Sequence, residues 1–356
     1  MPEKSSILLT NLFSAALILF TCTAVCQSDM NDPPHDSLVL GSDFFDRDEP
    51  IDLNIEFDLK EFQRTRKDEE YQRAKLSYTN GEGRKETFDV RLRTRGIFRK
   101  SYCYLPPFWI NIENSGIDTH ELEDIKKMKV VTHCMKHKDF QDYVLKEYLV
   151  YKLYNIISPY SFKVRLLHLT YIDTGRNNKE MSGWAFVIEP IELLARRLDA
   201  RIVENEELAM ARMNAGLMDR LALFYYMIGN TDFSVTGLHN MKIIMLNQPG
   251  PTGYVPIPYD FDYTGFVNTV YARPAENVPI EKVTERYYLG PCRPDAAYKQ
   301  AIGEFREHSK EIHELLQSFE LMSIDQKIDM LRFIEDFHTE IADEDFINVH
   351  IRPTCR

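Results

Sequence analysis

From Ile51 the chain alternates, with Ile51, Leu53, Ile55 and Phe57 on one side and Asp52, Asn54, Glu56 and Asp58 on the other. That is the period of a strand with one buried face. Lys75 to Tyr78 and Glu86 to Arg95, where Phe88, Val90 and Leu92 alternate with charge, predict a hairpin around the turn signal Asn80-Gly81. Phe108 to Ile112 and Met128 to Thr132 supply further short strands, so this part reads as an antiparallel sheet. Over Phe140 to Ile157 the apolar positions Tyr143, Val144, Leu149, Val150, Leu153, Tyr154 and Ile157 recur at helical spacing, and Pro159 stops the run. Strands over Lys163 to Asp173 and Ser182 to Glu189 follow.

At Pro190 the pattern changes. Ile191 to Leu198, Asn205 to Ile228, Ala301 to Phe319 and Ser323 to Ile341 have helical spacing, interrupted by an irregular Gly- and Pro-containing stretch from Gly229 to Cys292. The expected division is a strand-rich part over 49–189 and a helix-rich part over 190–352, with a hinge near Pro190.

The N-terminus places Lys4 before an apolar run from Ile7 to Phe20 and then small and polar residues through Gln27. This is the layout of a secretory signal peptide over 1–26, with Ala24-Val25-Cys26 as a cleavage site. An uncleaved anchor is the alternative and the one route to membrane contact, although a run of about 14 apolar residues is short of the roughly 20 that a span needs. Residues 27–48, with Asp32-Pro33-Pro34, predict a flexible lead segment without a core. The expected destination is export, to periplasm, cell surface or medium. Past residue 26 the cysteines are Cys103, Cys134, Cys292 and Cys355, an even set suited to an oxidising compartment. Four cysteines allow three pairings, of which Cys103 with Cys134 and Cys292 with Cys355 is favoured because each joins neighbouring or terminal segments. Their spacing does not suggest zinc.

A formal charge of −12 speaks against non-specific binding to nucleic acid or anionic membrane, which depends on clustered Lys and Arg. The run Arg91, Arg93, Arg95, Arg99 and Lys100 therefore reads as a local device or a solvated strand face. Phe108-Trp109 and Tyr225-Tyr226 read as packing residues.

The chemistry is concentrated between Gly229 and Gly265. A loop with Asp232 follows the long helix, Asn240 precedes a strand over Met241 to Leu246, and Tyr259-Asp260-Phe261-Asp262 comes after it. Carboxylates and a carboxamide are oxygen ligands for Mg²⁺ or Mn²⁺. Asp260 and Asp262 are two apart, so in extended backbone they face one side. The order of a loop Asp, an Asn and an Asp ahead of an aromatic follows the logic of protein-kinase sites.

Six segments carry a resemblance. They are Arg93-Thr94-Arg95-Gly96, Lys129 to Cys134, Lys146 to Asn155, Phe186 to Glu189, Gly229-Asn230-Thr231-Asp232 and Tyr259-Asp260-Phe261-Asp262. Together, over Leu92 to Pro274, they resemble the spore-coat CotH kinase-like family of atypical secreted kinases. The resemblance implies an α+β, bilobed protein-kinase-like fold with a strand-rich N-lobe and a helix-rich C-lobe. It also implies an exported ATP-dependent phosphotransferase acting on a protein, glycan or small-molecule acceptor. In its terms Asp232 orients the acceptor hydroxyl, and Asn240 with Asp260 or Asp262, Asp260 preferred, holds Mg²⁺ or Mn²⁺. Lys129 or Arg95 meets the nucleotide phosphates, Glu147 orients that cation, and Glu189 reaches an adenine amine. The plainer roles are a solvated helix charge for Glu147 and a strand-end charge for Glu189. The chain has no Gly-rich G-x-G-x-x-G loop, no Val-Ala-Ile-Lys strand and no His-Arg-Asp triplet, which bears on activity more than on fold. Two other functions fit the same residues: an inactive surface protein of that fold, and a metal-dependent phosphoester hydrolase.

Overall fold

A computed structural model describes residues 42–66, 70–79, 83–117, 126–204, 209–247 and 253–356. The signal peptide, the lead segment up to residue 41 and the Asn80-Gly81 turn lie outside the described residues. Strands β1 (Ile51–Phe57), β2 (Gln72–Thr79), β3 (Lys85–Thr94), β4 (Phe108–Asn111), β5 (Lys127–Thr132), β6 (Val164–Asp173) and β7 (Lys179–Ile188) close into a barrel in the order β1-β2-β3-β4-β5-β7-β6. Neighbours are antiparallel except β1 and β6, which run parallel in register from Ile51 with Leu167 to Phe57 with Asp173.

This closure overturns the expected bilobed kinase-like architecture. A strand-rich lobe built on an open sheet keeps two edges, whereas here the second edge of β1 is bonded to β6. Alternation predicts which face of a strand is buried and carries no information about which strand pairs with its edge. The sheet is accordingly mixed, where the hairpin pattern had suggested a purely antiparallel one.

The barrel interior follows from the alternation. Leu53, Ile55 and Phe57 of β1 meet Leu92, Ile110, Val130, Leu169 and Val187 in one apolar cluster. The opposite faces of three strands, with Val131, Leu166, Phe186 and Ile188, belong to a second core shared with the helices. Strands buried on both faces remove their side chains from water twice over, at roughly 1.5–3 kcal/mol for each fully buried large aliphatic or aromatic group.

The helices are α1 (Ser42–Asp46), α2 (Leu59–Arg64), α3 (Phe98–Tyr102), α4 (Lys138–Ile157), α5 (Ile191–Arg197), α6 (Ala215–Ile228), α7 (Asp295–Glu307), α8 (Ser309–Ser318) and α9 (Ile324–Ala342). A smaller sheet, β8 (Ala200–Val203), β9 (Met241–Leu246) and β10 (Val255–Pro258), has the order β10-β9-β8. Three expectations change. The helix expected from Asn205 starts at Ala215, where the Asn214 side chain accepts from the Leu217 N–H at 2.9 Å. The run expected over Ala301 to Phe319 is two helices divided at His308. At the end of the lead segment, expected to lack a core, α1 buries Phe44 and Phe45. Disulfides join Cys103 to Cys134 and Cys292 to Cys355, the favoured pairing. Among the described residues no helix is long and apolar enough to cross a membrane.

Candidate functional site

Along β5 the residues Met128 and Val130 enter the barrel, which leaves Lys129 on the other face. Lys129 is in register with Trp109 of β4 and Ile188 of β7. Its Nζ lies 5.5 Å from the Trp109 ring centroid, 5.9 Å from that of Phe162 and 4.9 Å from that of Tyr259. It helps to line a cleft of about 410 Å³ to which Arg93, Lys126, Lys127, Lys129 and Lys242 contribute five cations against the two carboxylates of Glu192 and Glu204. Trp109, Ile188 and Pro190 supply its apolar wall. Burial pushes the Lys129 ammonium down to about 8, and the nearby cations Arg95 and Lys242 push it the same way.

The Asp232 loop begins where α6 must stop. Gly229 adopts a left-handed conformation (φ 64°) and donates its N–H back to Tyr225 and Tyr226. Asn230 Oδ1 then accepts the Asp232 N–H at 2.9 Å. Asp232 Oδ1 pairs with His239 Nε2 at 2.9 Å, and Oδ2 accepts from Asn240 Nδ2 at 3.0 Å. Asn240 Nδ2 also reaches the Asp232 carbonyl at 2.8 Å, so the carboxamide clips the loop shut. Its own carbonyl accepts from the Tyr259 N–H at 3.1 Å. That bond ties the first loop to the second.

Asp260 has φ 65°, and its N–H donates to Tyr151 Oη at 2.9 Å. Phe261 is buried, its ring centroid 4.7 Å from that of Tyr151 in an edge-on contact. The inward plug leaves the flanking carboxylates together through a turn, where the extended reading had placed them on one strand face. Both meet Arg99, which arrives from α3. Arg99 Nη2 donates to Asp260 Oδ1 at 2.9 Å, Nε lies 3.1 Å from Asp262 Oδ2, and Nη1 donates to Glu147 Oε2 at 3.3 Å. Tyr271 Oη donates to Asp262 Oδ2 at 2.9 Å. Phe98, Tyr102, Tyr263 and Tyr271 group their rings beside this cluster.

Burial raises the Asp262 carboxyl well above the usual range, with Asp260 and Glu147 adding to the effect against Arg99. Burial likewise outweighs Arg99 and raises Glu147. At Asp260 burial acts upward, but Arg99 and Arg95 prevail and hold it below the usual range. Arg99 itself keeps its proton, because the carboxylates prevail over desolvation. Asp262 and Glu147 are thus pushed up beside Asp260, which is pushed down.

Tyr259 is the meeting point of the expected residues: Lys129 lies over its ring, Asn240 holds its N–H, and Asp260 follows it. Arg95 lies 6.0 Å from the Trp109 centroid, and its charge acts on Lys129 and Asp260 alike. Two assignments are corrected. Glu189 is buried, accepts from Arg197 at 2.9 and 3.0 Å and from the Lys163 N–H at 3.0 Å, and so belongs to a structural ion pair with no oxygen turned to the cleft. Glu147 pairs with Arg99 in place of Lys129 or Arg95. Asp260 and Asp262, two of the three residues expected to hold Mg²⁺ or Mn²⁺, do not fit a shared divalent ion as they are placed. Among the described residues no group of three or more His, Cys, Asp and Glu is placed to hold one, and a guanidinium already sits between Asp260 and Asp262.

Arg99, expected to be a local device or part of a solvated face, His239, and Trp109, expected to pack, are site residues that no motif marked. Tyr259 was legible from its place before Asp260. Arg99 had no local signal, because its partners lie 48 and 161 residues away. Comparison with protein-family models and with curated proteins finds no match for the chain, so the resemblance to the CotH family rests on the six segments alone.

Proposed function

We propose that this protein is an exported phosphotransferase that binds a nucleoside triphosphate such as ATP in the cationic cleft and passes its terminal phosphoryl group to an acceptor hydroxyl. The observation that carries the reading is Lys129, a half-buried ammonium held among three aromatic rings in a cleft with four further cations and within electrostatic reach of Asp260. Phosphoryl transfer requires fixed positive charge at the non-bridging oxygens, and preorganised side chains supply it without reorganisation. The acceptor oxygen forms a bond to the terminal phosphorus as the bond to the bridging oxygen breaks. The nucleoside diphosphate leaves with that electron pair, and the acceptor proton passes to the Asp232 carboxylate, which His239 and Asn240 orient. The two disulfides suit an oxidising compartment.

ATP is expected to raise the melting temperature of the wild type and to leave that of Lys129→Met unchanged. With γ-labelled ATP and water as acceptor, Asp232→Asn should still bind but release labelled phosphate more slowly by roughly 10²–10⁴-fold. A wild type whose melting temperature ignores ATP, or a Lys129→Met variant that responds equally, rejects the reading. The Arg99 clamp on Asp260 and Asp262 favours a second reading, a binding protein that holds the nucleotide without transfer. It is the outcome if binding is present and labelled phosphate is never released.

A further inference from the structure

The residue at the centre of the acidic cluster is a side chain of the chain itself. Arg99 directs four N–H···O contacts to three carboxyl groups: Nη1 to Glu147 Oε2 at 3.3 Å, Nη2 to Glu147 Oε1 at 3.4 Å and to Asp260 Oδ1 at 2.9 Å, and Nε to Asp262 Oδ2 at 3.1 Å. A guanidinium is a planar fork of five donors that cannot be deprotonated in a protein, so it can bridge carboxylates that approach from several directions. The Arg99 side chain is 9% exposed, those of Asp262 and Glu147 are 9% and 2% exposed, and that of Asp260 is 31% exposed. Of the three acids Asp260 is therefore the one most open to solvent. A hard divalent cation draws its oxygens to roughly 2.0–2.6 Å around one point. Arg99 would have to leave before Asp260 and Asp262 could close on such an ion.

Two features hold it there. The disulfide Cys103–Cys134 lies at the end of α3, where the Cys103 N–H donates to the Arg99 carbonyl at 3.0 Å. Tyr271 donates to Asp262 at 2.9 Å, and its ring lies 5.3 Å from that of Phe98 and 5.4 Å from that of Tyr102, both on α3.

We propose that Arg99 is a built-in replacement for the divalent cation, so that the cleft handles its phosphorylated ligand with side-chain cations alone, independently of Mg²⁺ and Mn²⁺. The ligand half of this inference rests on the proposed function; the replacement of the cation does not.

The two halves are tested separately. Mn²⁺ alone, followed by electron paramagnetic resonance, should remain free in equimolar wild type and become bound in Arg99→Met. That variant loses the cation its carboxylates need, and its melting temperature should rise with Mn²⁺ where that of the wild type does not. Stoichiometric Mn²⁺ on the wild type that disappears in Asp260→Asn overturns the proposal. An Arg99→Met protein that is no more responsive to Mn²⁺ than the wild type, or that stays unfolded in its presence, also overturns it. In calorimetric titrations of the wild type, ATP should bind equally, to within about twofold, in EDTA and in Mg²⁺, and a tenfold loss in EDTA counts decisively against the proposal. Absence of ATP binding in both conditions rejects the phosphotransferase reading and leaves the Mn²⁺ results to judge Arg99.

Discussion

Lys129 shows how one side chain acquires a pH-dependent role from its surroundings. It leaves the barrel wall between Trp109 and Ile188, and burial with two neighbouring cations brings its ammonium down to about 8. Above that pH it is neutral and no longer attracts an anion. The affinity for ATP is expected to fall roughly tenfold between pH 7 and pH 9 in calorimetric titrations, whereas Lys129→Arg, charged throughout, gives a flat profile. Stability without ligand moves the other way. Between about 8 and the ordinary lysine value of 10.5 the unfolded chain binds more protons at this residue than the folded one, so the unliganded protein gains stability as pH rises through that window. Asp260 and Asp262 make the complementary point. Two identical carboxyl groups two residues apart are driven in opposite directions, because burial prevails at one and Arg99 with Arg95 at the other.

At the scale of elements, the Asp232 loop and the Asp260 loop are held together by backbone. The Gly265 N–H donates to the Gly229 carbonyl at 3.0 Å and the Phe266 N–H to the Ile228 carbonyl at 3.0 Å. These glycines permit an approach that a side chain would block: a Cβ on Gly265 would stand 2.9 Å from Thr284 Cα and 3.0 Å from the Val283 carbonyl carbon, both backbone atoms. Gly265→Ala is therefore expected to cost about 2 kcal/mol or more in urea unfolding. In contrast, a Cβ on Gly303, inside α7, meets nothing within 4 Å, and Gly303→Ala should stabilise by about 0.5–1 kcal/mol. Both glycines of the site stand beside the Asp motifs in the sequence, so their importance was legible. That their shared neighbour is Val283 was not, since this contact closes over a separate loop.

For the whole molecule, the barrel and the helical core share β5, β6 and β7, and the C-terminus is secured by Cys292–Cys355. That bridge spans a sequence separation of 63 residues, and the Cys292 N–H donates to the Arg356 carbonyl at 3.1 Å beside it. The double variant Cys292→Ser with Cys355→Ser should lose about 4 kcal/mol, read as a lowered urea midpoint, because a loop of this length regains its closure entropy on unfolding. What the amino-acid order determined alone is local. It set strand faces through alternation at Ile51–Phe57, the helix ending at Gly229, and the two acidic loops. These depend on side-chain period, left-handed turns and residue chemistry, all of which act over a few positions. Tertiary structure alone decided that β6 closes on β1, that Glu189 belongs to Arg197, and that Arg99 stands among Glu147, Asp260 and Asp262. Each is a pairing between separate elements, governed by which edge or charge is left to satisfy once the chain is packed, and no local pattern records that.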